Sequence, residues 1–465
     1  MATSSTPPIY NDNKPAVFRQ LDPAKYSSLG DFINQINAPD NRDELVKTYG
    51  YQQISGGLTG FLSLTGAIRG SGTADDVQYW EETRLHAYAT VAPTASYVAS
   101  TVVTSIVVKK AVGQASVLRL NDVVLVGGED RFMVTAIAPT GEVASTATAD
   151  YTLQSLASTG LSASASTASI NLPVIGNLFA QGSDQNDGYL ESNVIKRTNP
   201  YNIIKEVFKV TGSQATNIGW INAGNGDYRW YVKGEMDTRA RFMDKREMVM
   251  LLGESISSTQ AYQLGGAGAN VTAGEGYFSA IEDRGIVQSG QIDDFTEMDV
   301  LITELDKQGA APEYAMYVNT AQSLAIDDMV ASLNGAAGFA DATSGIGAFG
   351  GRGAELGFQS FIRGGYTFHK HSWKLLNDPT LLSGSKYLGA MIPLTTVVDP
   401  KTGNRAAALE LNYKDTNGYS REMEHWMTGS ILGVNNTNED NLQFNYRSEC
   451  TLVTRAANQH ILIKS

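Results

Sequence analysis

Between about residues 87 and 180 short β-branched runs alternate apolar and polar positions, and turn residues separate them. TSIVVKK, SVLRLNDVVLV, EDRFMVTAI, DYTLQSL and ASINLPVIG read as strands, with turn signals at Gly113, at Gly127 and Gly128, and at Thr140 and Gly141. VLRLNDVVLVGGEDRFMVTAI predicts a hairpin in which Val124 and Val126 face Phe132 and Val134 across GGED. The block resembles a small barrel or sandwich inserted into a larger fold.

Helical spacing follows. In RTNPYNIIKEVFKVTG, Asn199 suits a cap, Pro200 a first helical position, and Ile203, Ile204, Val207 and Phe208 one face, so a helix ending at Gly212 is predicted. DYRWYVKGEMDTRARFMDKREMVMLLGE places Val232, Met236, Ala240 and Met243 four, four and three apart and ends at Gly253. That helix, expected over 228–253, would span roughly 39 Å at 1.5 Å per residue. A glycine-rich loop, LGGAGANVTAGEGYFSA, precedes an α/β alternation: helix FTEMDVLITELDKQG with Met298, Leu301, Ile302 and Leu305 on one face, strand EYAMYVN, and helix AQSLAIDDMVASLNG.

After a second small-residue loop, GAAGFADATSGIGAFGGRGAELG, the segments FQSFIRGGYTFHKHSW, GAMIPLTTVVD, AAALELNY, CTLVTRAA and HILIK read as strands. At the other end, residues 1–60 are polar and uneven, with a short helix predicted for RDELVKTY behind an Asp40 to Asn41 cap. Such an arm has little core of its own and should be ordered by lying on a neighbouring subunit.

Composition sharpens this picture. With 465 residues, 42% apolar residues and 46 glycines against 13 prolines, the chain can bury a sizeable core and is rich in turns. Its 48 acidic and 35 basic side chains give a net charge of −13, which opposes tight binding of nucleic acid. A single cysteine, Cys450, excludes an internal disulfide framework and any zinc site built on several cysteines. No apolar stretch approaches the roughly 20 residues of a membrane helix, and MATSSTPPIYNDNKPA does not resemble a signal peptide. As the sequence starts at Met1, maturation is expected either to need no removal of an N-terminal segment or not to have occurred.

The chain offers little recognisable chemistry. The histidines, His86, His369, His371, His425 and His460, lack zincin spacing; His369 and His371 share one face of a strand, half of a metal site without a nameable third ligand. GIGAFG, Gly345 to Gly350, matches a dinucleotide string without the strand, helix and acidic residue it needs. SDQNDGYLE offers Asp184, Asn186, Asp187 and Glu191, but its glycine and closing glutamate are misplaced for a calcium loop. No nucleophile elbow, phosphate loop or cysteine with a base is present, so no catalytic, cofactor-binding or metal residue is assigned and no cofactor is expected.

The order is arm, β-rich excursion, long helix, α/β block and closing strands, an α+β pattern. It resembles the Hong Kong 97-like fold of tailed-bacteriophage major capsid proteins. The segment QGSDQNDGYLESNVIKRTNPYNIIKEVFKVTGSQAT, Gln181 to Thr216, carries the resemblance: an acidic turn, Arg197-Thr198-Asn199, a short amphipathic helix, and a stop at Val210-Thr211-Gly212-Ser213 that departs slightly from the family's V-S-G-T-like form. The size, β insertion and start are similar to those of crAss-like phage capsid proteins.

The resemblance implies an N-terminal arm at 1–60, an E-loop region at 61–195 with an inserted all-β domain at about 87–180, and a P-domain at 196–294 with spine helix 228–253. An A-domain at 295–390 and P-domain return strands at 391–465 complete it. It further implies a non-enzymatic virion protein, assembled in the host cytoplasm, whose partners are copies of itself in capsomers, portal, scaffolding and auxiliary or head-fibre proteins. Packaged DNA would be met only non-specifically, and membranes not at all. Rival readings are a tail or fibre protein and a β-rich carbohydrate-binding protein, whose candidate aromatics are Tyr97, Phe132 and Tyr151.

Overall fold

The structure, a computed structural model, describes residues 56–86, 88–96, 102–110, 117–138, 149–157, 169–184, 194–217, 230–256, 271–336, 360–382, 386–394, 396–398 and 405–465. The predicted RDELVKTY helix, the GIGAFG string, and Asn186, Asp187, Glu191 and Tyr97 lie outside them. The described residues divide into two compact units: those within Lys205–Lys245 and Glu424–Arg447 form one, and those within Ser55–Ile204, Arg246–Met423 and Ser448–Ser465 the other.

The larger unit contains a closed barrel of six strands: Tyr88–Pro93, Ser105–Lys110, Asp122–Val126, Asp130–Ala138, Ala149–Ser155 and Ile170–Asn177. Alternation explains it. Ile106, Val108, Val124, Val126, Phe132, Val134, Tyr151, Leu153 and Leu172 point inward and are buried together, while the residues between them face outward. The predicted hairpin is present with Val124 opposite Phe132. Tyr88–Pro93 is a sixth strand that the predicted strands omit.

The barrel is inserted between the strands of an antiparallel ribbon, Asp76–Glu82 with Val194–Pro200, in register from Asp76 opposite Pro200 to Glu82 opposite Val194. A six-stranded mixed sheet runs in the order Ile286–Ser289, Ile461–Lys464, Tyr387–Pro393, Glu313–Val318, Tyr366–Ser372, Ser360–Arg363. Helix Phe295–Lys307 packs Met298, Leu301 and Leu305 into its core with Tyr314, Met316, Phe368 and Ile461. Strand Glu313–Val318 and helix Thr320–Ala336 follow as predicted. Two glutamate contacts fix the entry of the chain: Glu247, itself buried, accepts the N–H groups of Gly56 at 2.7 Å and Leu58 at 3.0 Å, closing the N-terminus of helix Gly57–Leu64.

The smaller unit holds most of helix Trp230–Leu252 and of strand Asn202–Thr211, with strand Glu424–Gly429 paired to the first half of Asn441–Thr454. The long helix agrees with the predicted one. Two predicted features are corrected. The helix read in RTNPYNIIKEVFKVTG is instead strand, the end of the ribbon and Asn202–Thr211. Its pattern of inward Ile204, Glu206, Phe208 and Val210 has period two, and Glu206 faces inward because Lys245 pairs with it. The glycine-rich loop is also shorter than predicted: helix Tyr277–Arg284 begins inside it, burying Tyr277, Phe278, Ala280 and Ile281.

Candidate assembly surface

The ribbon separates two kinds of side chain. One face carries Val77, Tyr79, Glu81, Ile195, Arg197 and Asn199, all at least half-buried; the other carries Gln78, Trp80, Glu82, Val194, Lys196 and Thr198, all exposed.

The inner face is held by polar contacts. Tyr79 donates its hydroxyl to the carbonyl of Thr454 at 3.1 Å, and Glu81 accepts the N–H of Ala456 at 3.0 Å. Asn199 imitates a strand partner: its amide donates to the carbonyls of Leu452 at 2.6 Å and Glu275 at 3.0 Å, and its oxygen accepts the N–H of Glu275 at 2.7 Å. Arg284 clasps Glu275 through two bonds of 2.8 and 2.9 Å. Burial pushes the Tyr79 phenol above its ordinary range, keeping it a neutral donor.

The outer face mixes polar Gln78, Glu82, Lys196 and Thr198 with two exposed apolar side chains, Trp80 and Val194. Trp80 is 66% exposed, with the ammonium of Lys196 lying 5.8 Å from its ring centre, and Val194 is exposed beside it. Beyond the ribbon, Leu85, Tyr88, Leu120, Leu178 and Phe179 are exposed as well. Leu178 and Leu120 are brought together because Leu178 donates its N–H to the carbonyl of Asn121. Large apolar side chains left in water are candidates for burial in an interface.

The other candidates show no convergence. His369 lies 2.9 Å from Glu313 and His371 stacks on Tyr317, with burial and then the neighbouring His369 holding the His371 imidazole below its ordinary range. Among the described residues no three histidine, cysteine or acidic side chains are gathered to hold a metal. Cys450 is buried, its sulfur 3.9 Å from that of Met250. Phe132 and Tyr151, proposed as sugar-stacking aromatics, are each 1% exposed inside the barrel, so that reading loses its platform. Among the described residues no helix is long and apolar enough to cross a membrane.

The sequence matches no protein-family model and no curated protein. Among solved structures it is similar to the capsid of cyanophage P-SCSP1u, at 7% identity over 97% of this chain and 99% of that one, with a TM-score of 0.41. It is also similar to a chain of Gordonia phage Cozz, at 8% identity over 96% and 98%, with a TM-score of 0.42. The capsid of a native GTA particle matches at 9% identity over 95% and 99%, with a TM-score of 0.39.

Proposed function

We propose that this chain is the major capsid protein of a tailed bacteriophage, self-assembling through hexameric and pentameric capsomers into an icosahedral head that encloses double-stranded DNA. The observation that supports it best is the ribbon, anchored through polar contacts on its inner face while Trp80 and Val194 stand exposed on the outer one. Burying those side chains against a neighbouring copy is favourable at about 25 cal/mol per Å² of apolar surface.

In this reading residues 1–60 are the arm, 61–195 the E-loop region with the barrel as its inserted domain, 196–294 the P-domain with the long helix as spine, 295–390 the A-domain, and 391–465 the returning P-domain strands. The work is assembly, without a catalytic site or cofactor. Portal, scaffolding and auxiliary or head-fibre proteins are its further partners, DNA is met non-specifically, and the assembled protein belongs to the virion. Electron microscopy of the purified full-length chain tests this: closed shells are expected, whereas tubes, fibres or a persistent monomer would overturn it.

A further inference from the structure

Four turns among the described residues hold two successive residues at positive φ: Gly127 with Gly128, Gly364 with Gly365, Asn417 with Gly418, and Leu432 with Gly433. Two adjacent positive values are the pattern of the type I′ turn, where glycine lacks the obstructing Cβ and asparagine bonds locally. The first three turns obey this chemistry. The fourth places leucine at φ 55°, a left-handed conformation in which its Cβ crowds the following carbonyl.

Nothing among the described residues of its unit rewards that choice. Leu432 is 60% exposed, whereas its neighbours Ile431 and Val434 pack against the cluster of Val210, Ala215 and Leu442. The turn is closed by the Val434 N–H donating to the Ile431 carbonyl at 3.2 Å. It is framed by Asn436, which accepts the Gly429 N–H at 2.7 Å, and by Ser430, which donates to the Glu439 carbonyl at 2.6 Å. The frame is firm, and the leucine is what it displays.

We propose that this turn docks on a second copy of the chain, with Leu432 as the anchoring side chain, an inference that rests on the self-assembly reading and adds a contact outside the ribbon. Charge selects the occupant. Residues 430–438 carry no charged side chain, and of the two acids that follow, Glu439 and Asp440, the first is paired with Lys209 at 2.7 Å. In a chain of net charge −13 a neutral apolar knob is where an identical molecule can approach without like-charge repulsion. Strain at an exposed position persists when a contact made elsewhere repays it.

Leu432→Gly separates the two roles, since glycine accepts the left-handed backbone and removes the knob. The variant subunit is expected to melt at or above the wild-type temperature, while the concentration at which particles form, read by light scattering and electron microscopy, rises at least tenfold. Leu432→Met should restore assembly and Leu432→Asn should not. If wild type forms particles and Leu432→Gly forms them at the same concentration, the docking inference fails while the capsid reading stands. Wild type that forms no particles at all sinks both. Normal Leu432→Gly particles that fail to hold some other virion protein would overturn the inference in favour of that partner.

Discussion

The side-chain amide of Asn199 donates to the carbonyl of Leu452 across 2.6 Å, so a side chain does for the ribbon what a backbone group does inside a sheet. Asn199 is buried and also meets both backbone groups of Glu275. Asn199→Ala strands a buried N–H and two carbonyls; a loss of about 2–3 kcal/mol is expected, read by denaturant unfolding. Unchanged stability would show that water replaces the amide without cost.

Glu247 aims its carboxylate at the N-terminus of helix Gly57–Leu64 and also accepts the Thr59 hydroxyl at 3.1 Å. Glu247→Gln keeps the shape but turns a donor toward N–H groups. About 2 kcal/mol should be lost, and amide exchange should quicken at Leu58, while Glu247→Asp should recover little because its shorter stem cannot reach.

His460 is fully buried with Nδ1 2.9 Å from the Tyr277 hydroxyl, and burial holds its imidazole down at about 3 from an ordinary 6.5. Protonation therefore favours the unfolded chain between these values. The stability that neutral His460 supplies is complete above about pH 6.5 and drains as pH falls toward 3, by at most about 1.4 kcal/mol per pH unit. His460→Gln should flatten the melting temperature against pH over that window; a profile parallel to wild type counts against the assignment.

Trp80 stands outward on the ribbon and supports no described core. Trp80→Asp is expected to change subunit stability by less than about 0.5 kcal/mol and to abolish particles, with thermal melts and light scattering as the paired measurements.

Phe132 is buried in the barrel core. Phe132→Ala should cost about 3–5 kcal/mol and unfold the barrel before the six-stranded sheet, giving two transitions in calorimetry where wild type is compared directly.

Where burial and periodicity agreed, the elements were legible. The pair Val124 and Phe132, and the helix face of Met298, Leu301 and Leu305, could be read because every inward position is apolar. Asn202–Thr211 was not legible for a specific reason: Glu206 occupies an inward place and its partner Lys245 lies 39 residues away. The ribbon mixes apolar and polar side chains on both faces, with Glu81, Arg197 and Asn199 beside Val77, Tyr79 and Ile195 on the inner one and Trp80 and Val194 on the outer one, so alternation alone does not assign them. Leu432 gives no local signal, since only its backbone angle sets it apart.

The barrel closes on itself, and each of its six strands has a paired neighbour on both sides. A module of this shape cannot be lengthened by a strand borrowed from another molecule. It can therefore be displayed at high local concentration without seeding the cross-β stacking that open sheet edges invite, a form of crowding tolerance written into topology rather than into surface charge.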